Sequence, residues 1–184
     1  MQFRLILMLI MCISISLLFA DEKHQKSTHS KPGENPWNSA QEPDDWWGAI
    51  ESMHGHVGPW NVLGWRIGQQ ALADFGTEWG RHELDITCHV PMSTPHSCLA
   101  DGLVIGTGNS IGRLDIRLEE VAGMQDIYIS IKRKDGEGPV REYYPHTDYM
   151  KRIEARTVEE LESLSRECRD KSASELFEMK IIEK

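Results

Sequence analysis

Gly64 and Gly68 sit one helical turn apart inside the stretch that reads most plainly as a helix, and this constrains the fold more than any other feature. From Trp60 to Phe75, Leu63, Ile67 and Ala71 recur at four-residue spacing, with Gly64, Gly68, Leu72 and Phe75 on the adjoining strip. A glycine costs about 1 kcal/mol against alanine in an exposed helix. Two of them on one strip predict the close approach of a second backbone. Gly76 ends the helix in the usual C-terminal way.

After this helix the apolar period becomes two. Leu84, Ile86, Cys88 and Val90 alternate with Asp85, Thr87 and His89, which predicts a half-buried strand with Cys88 as a core thiol. Pro95 and Ser97 predict a helix over 97–105, with Ser97 as its N-cap. Gly106, Gly108 and Gly112 follow a helix at a spacing that is not the dinucleotide-binding fingerprint, so a tight connection explains them. Leu114, Ile116 and Leu118, then Ile127, Ile129 and Ile131, predict an antiparallel hairpin with one buried face. Asp135 to Pro139 reads as a surface turn. Thr157 and Glu160 have capping-box spacing ahead of a helix whose Leu161, Leu164 and Cys168 share a stripe. Ser172 and Glu175 repeat the signature, and residues 177–181 alternate as a last strand would. The fold class is α+β: a small, mostly antiparallel sheet with helices packed on one face.

The expected domains are a signal peptide (1–20), a disordered polar linker (21–44) and one folded domain (45–184). Arg4, the apolar run from Leu5 to Phe19, and Ala20 before Asp21 have the layout of a secretory signal. The expected destination is therefore periplasmic or secreted, after cleavage near Ala20, with a retained N-terminal anchor as the alternative. Contact with a membrane is expected only through this signal. The full chain carries a formal charge of −9, and residues 1–20 contribute one basic residue and no acidic one. Such an acidic chain is not expected to bind nucleic acid. Cys88, Cys98 and Cys168 lie beyond the signal, an odd number with no CxxC pair.

Two polar knots carry the chemistry. His54, Gly55 and His56 set two imidazoles around a residue that lets the backbone bend, just ahead of the glycine-bearing helix. Some forty residues on, His96, Cys98 and Asp101 offer a third imidazole, a thiol and a carboxylate. Cys98 and Asp101, three apart, share one face of the expected helix. The helix N-terminus is expected to lower the Cys98 thiol pKa. Imidazole and thiolate suit zinc and neighbouring divalent ions. The candidate metal ligands are His54, His56, Cys98, Asp101 and His96. Read as structure instead, the same residues are a helix cap, a hydrogen-bonded ring and a core thiol.

His54-Gly55-His56-Val57-Gly58-Pro59, followed by Leu63-Gly64-Trp65-Arg66-Ile67-Gly68, resembles the opening motif of the formylmethanofuran dehydrogenase FmdE family, GHxCPG ahead of a glycine-bearing helix. Ser97-Cys98-Leu99-Ala100-Asp101-Gly102 is similar to that family's CxxDA segment, and the likeness runs over roughly 45–182. The resemblance implies an α+β domain that binds a divalent metal, often zinc, through His54, His56, Cys98 and Asp101. Where the family motif has cysteine, this chain has Gly58. His96, His89 or Cys88 must then substitute, or water fills the place. The family name does not imply an activity here, because formylmethanofuran chemistry runs on a pterin cofactor held by other proteins of that enzyme inside the cell.

The leading function is thus an exported metal-binding domain of that family, with a protein partner or a homodimer as its further associations. An alternative is a metal-dependent hydrolase using a zinc-bound water, with Asp101 or Glu51 as general base. No HExxH helix or nucleophile–base pair supports catalysis. The other alternative is a non-metal ligand- or partner-binding module built on Trp46, Trp47 and Trp60.

Overall fold

The computed structural model describes residues 38–154 and 156–183. The expected export signal and the linker as far as residue 37 lie outside the described residues. Among those described, six helices and five strands follow one another: α1 (Trp46–His54), α2 (Pro59–Phe75), β1 (Leu84–Val90), α3 (Cys98–Thr107), β2 (Ile116–Glu120), β3 (Tyr128–Arg133), β4 (Val140–Pro145), α4 (Thr147–Glu154), α5 (Leu161–Asp170), α6 (Ala173–Leu176) and β5 (Phe177–Ile182). No helix among them is long and apolar enough to cross a membrane.

The sheet runs β2-β1-β3-β4-β5. β1 pairs parallel with β2 and antiparallel with β3, and the β3–β4 and β4–β5 pairs are antiparallel. The predicted α+β class and mostly antiparallel sheet are therefore present. The predicted hairpin is not. β2 and β3 lie on opposite sides of β1, with Ile86 facing Ile116 on one side and Ile131 on the other. The reason is α3: a helix between two strands returns the second strand parallel to the first. Leu114 also departs from expectation. Its φ of 58° breaks the extended path, so Leu114 is 82% exposed while Asp115 is 1% exposed, and the strand begins at Ile116.

One sheet face, carrying Ile86, Cys88, Ile129 and Tyr143, packs beneath Leu63, Ile67 and Ala71 of α2. Each of the leucine and isoleucine side chains among them stabilises the fold by about 1.5–3 kcal/mol on full burial. The Tyr143 hydroxyl donates to Asp74 at 2.9 Å, and the Arg141 guanidinium lies over the Phe75 ring. The opposite face carries a cross-strand row of His89, Tyr128 and Tyr144, stacked at 4.0 and 5.4 Å.

The close approach predicted at Gly64 and Gly68 is made by α3, which brings two glycines of its own. A methyl group on Gly64 would lie 2.0 Å from the Leu99 carbonyl oxygen, and one on Gly102 would lie 1.9 Å from that of Asn61. Backbone therefore touches backbone along the α2–α3 seam, an approach that side chains would prevent. Two details of the helix starts differ from the reading of the sequence. Ser97 stands at the cap of α3 but makes no capping bond. Asp45, which sequence reasoning passed over, caps α1 by accepting from the Gly48 amide at 2.9 Å. Asn38, within the stretch read as linker, is buried and donates to the Gly80 carbonyl at 3.0 Å.

Candidate metal centre

The glycine seam decides where the two polar knots meet. α1 ends at His54, Gly55 takes a left-handed φ of 92°, and Gly58 leads into α2 in extended conformation. Because α3 lies tight against the first turns of α2, its first residues, Cys98 to Asp101, come up beside this turn. Asn61 ties the corner together: its side chain accepts from the Gly58 amide at 2.9 Å and donates to the Cys98 carbonyl at 3.0 Å.

There His54 Nδ1 meets Asp101 Oδ2 at 2.7 Å across 47 residues of sequence. A carboxylate accepting at Nδ1 places the proton there and leaves the lone pair on Nε2. This is the arrangement by which a carboxylate orients a metal-binding histidine. The His56 ring stands 4.8 Å from that of His54, tilted by 53°. Burial, then His54 and Arg156, lower the His56 pKa and favour its neutral, ligating form. The Cys98 thiol behaves opposite to expectation. Burial and the Asp101 carboxylate raise its pKa, with Arg156 only partly opposing them. Removal from water is the larger cause, and together with the neighbouring carboxylate it outweighs what the helix terminus and its backbone contribute.

Among the described residues, no three histidine, cysteine, aspartate or glutamate side chains gather closely enough to hold a metal as they stand. The chemistry of the donors nonetheless fits one: a carboxylate-oriented imidazole, a neutral imidazole beside it and a thiol one turn before the carboxylate. Gly58 adds a cradle. A Cβ there would sit 3.5 Å from His56 Nε2 and 3.3 Å from Asn61 Oδ1.

The remaining candidates have other neighbours. The His96 ring packs edge-on against Trp60 at 5.1 Å, and its Nε2 is 3.4 Å from Glu154. Cys88 is fully buried in the core. His89 is on the polar sheet face, against Tyr128 and 3.5 Å from Glu119. Of the three tryptophans considered for a ligand groove, Trp60 is core, 1% exposed. Trp46 and Trp47, with Asp45, Arg166 and Arg169, line a surface pocket of about 260 Å³. Arg156, which influences both His56 and Cys98, was not foreseen; it lies in the connection between α4 and α5, where no periodicity marks it.

The thiols differ by burial, and their reactivity should follow. Burial pushes Cys88 and Cys168 up to about 12, whereas Cys98 is half-buried. In metal-free protein, alkylation followed by peptide mapping should label Cys98 first. Faster labelling of Cys88 would reverse the assignment.

A family model described as FmdE, molybdenum formylmethanofuran dehydrogenase operon, matches residues 53–181. That span holds both polar knots, the glycine seam and nearly all of the sheet. No curated protein matches the chain.

Proposed function

The chain belongs to the FmdE family, and on that premise we propose that it is an exported domain that binds a divalent transition metal such as zinc, without formylmethanofuran activity of its own. The observation that carries the reading is the 2.7 Å contact of His54 Nδ1 with Asp101, beside His56. His54, through Nε2, His56 and Cys98 are the donors we assign. Asp101 holds the His54 ring in orientation. When bound, the ion would supply fixed positive charge and a coordination template. Cys98 must lose its proton to join, so binding should release protons and strengthen as pH rises.

The test is metal analysis and zinc titration of tag-free protein from the native host, whose N-terminus near Asp21 would mark export. His56→Ala should abolish tight binding, and Asp101→Asn should weaken it by about 10- to 100-fold, the usual cost of losing an orienting partner. Gly58→Cys should strengthen it. Gly58 has φ −115° and ψ 160°, which any residue adopts, and its Cβ would lie beside His56 Nε2. A folded Gly58→Cys protein that binds zinc no better, beside a His56→Ala protein that binds equally well, would overturn the metal reading. The pocket beside Trp46 and Trp47 would then be the place to look for a ligand.

A further inference from the structure

The two edges of the sheet are finished differently. β2 shows solvent Arg117, Glu119 and Glu120, charges of the kind that keep an edge from pairing. β5 shows three apolar side chains: Met179 is 37% exposed, Ile181 54% and Ile182 40%. It is six residues long, contains no proline, and pairs only with β4 among the described strands. An open edge of this kind is a template for another strand.

We propose that β5 pairs antiparallel with β5 of a second copy of this chain, joining two five-stranded sheets into one about a two-fold axis normal to the sheet. Rotation about that axis keeps each side chain on its own face. Residues directly opposite must therefore be an even number apart, because faces alternate along a strand. Two central registers follow. One sets Lys180 against Lys180 and brings like charges together. The other sets Met179 against Met179, and the charges then match. Glu178 of each copy faces Lys180 of the other, and Ile181 faces Phe177 on the helix-covered side. Within one chain, Glu178 and Lys180 already share the open face, 3.7 Å apart, with the Lys180 ammonium 4.7 Å from the Tyr144 ring centre. The strand is self-complementary in charge and in apolar contact only in this second register. The partner it fits is itself.

Pairing through one strand buries less than a standard interface, so the dissociation constant should be on the order of 10–100 µM. Sedimentation equilibrium of the full chain over a wide concentration range reads this directly. Glu178→Lys and Lys180→Glu should each weaken the dimer roughly tenfold by placing like charges opposite one another, and the double exchange should restore it. Both residues are exposed, and circular dichroism checks that the variants fold. Should a variant fail that check, hydrogen exchange of the unaltered chain decides: β5 amides should gain protection with concentration. A chain that stays monomeric throughout overturns the proposal. A dimer indifferent to both single changes, or single losses that the double exchange leaves unrepaired, overturns it as well.

Discussion

Gly102→Ala should cost the fold about 3 kcal/mol or more, the upper range for forcing atoms into a packed interior, and should disperse the candidate centre as well. The added Cβ would lie 1.9 Å from the Asn61 carbonyl oxygen, 2.7 Å from the Trp65 amide nitrogen and 2.8 Å from the Asn61 carbonyl carbon. All three are backbone atoms of α2, so no side chain can swing aside and the helices must separate. Asp101 is the neighbouring residue and Cys98 lies one turn earlier, so separation should lengthen the 2.7 Å His54–Asp101 contact. Urea unfolding should show a lower midpoint, and zinc affinity should fall with it. Gly112→Ala is the control. Nothing lies within 4 Å of its Cβ position, and surface changes of that kind stay within about 0.5 kcal/mol. Gly64→Ala meets the Leu99 carbonyl oxygen at 2.0 Å in the same seam. The two changes together should therefore cost less than their sum. A Gly102→Ala protein as stable as the control would show that α2 and α3 are not packed backbone to backbone.

That seam was half legible in the sequence. The helical period and Gly64 with Gly68 announced a close neighbour, but nothing in α2 says which element supplies it; Gly102 and Gly106 read separately as helix and turn. The strands show the same division between element and partner. Alternation in 84–90, 114–119 and 127–131 marks strands without saying how they pair, and the nearest partner along the chain was the wrong one. The helix between β1 and β2 was itself the clue to parallel pairing. β4 escaped notice because its core-facing residues include Arg141 and Tyr143, whose polar ends blur the alternation; the guanidinium over Phe75 and the hydroxyl on Asp74 show how they are accommodated. At the candidate centre, residue types marked His54, His56, Cys98 and Asp101, but spacing could not say which partner Asp101 takes. Only the folded geometry gives it His54. The direction of the Cys98 shift differs from expectation because burial, which the sequence does not display, raises the thiol pKa, and the Asp101 carboxylate adds to it.

The cluster that sequence reasoning missed altogether is the one from which the largest loss on removing a single carboxylate is expected. Asp115 is 1% exposed and His82 4%. His82 Nδ1 donates to Asp115 Oδ2 at 2.8 Å, the Lys134 ammonium donates to Oδ1, and Arg113 Nε lies 3.6 Å from Oδ2. The backbone joins in, with the Ile86 amide donating to the Asp115 carbonyl at 2.9 Å, so the cluster pins β1 to the start of β2. Asp115→Ala would leave His82, Lys134 and Arg113 without their shared anion. Lys134 and Arg113 are partly exposed and can turn toward water, which puts the expected cost near the lower end for a broken buried pair, about 3 kcal/mol. The pH dependence gives the sharper reading. Burial pushes the Asp115 pKa up, but hydrogen bonds from His82 and Lys134 and their charges outweigh it and hold the carboxyl below its ordinary 3.8. As pH falls, the unfolded chain therefore takes up the proton first. The stabilisation is complete well above 3.8 and drains away as pH drops from there through the lower folded-state value. Asp115→Asn keeps the shape and an acceptor but cannot titrate. Its urea midpoint should lie below that of the unaltered chain near neutral pH, and the gap should narrow as pH falls through this window. Other carboxylates are also held below their ordinary values, Glu83 and Glu175 among them, but they are common to both proteins and drop out of the difference. A gap that stays constant with pH would mean that Asp115 is not held as an anion, and that its neighbours bind it by shape alone.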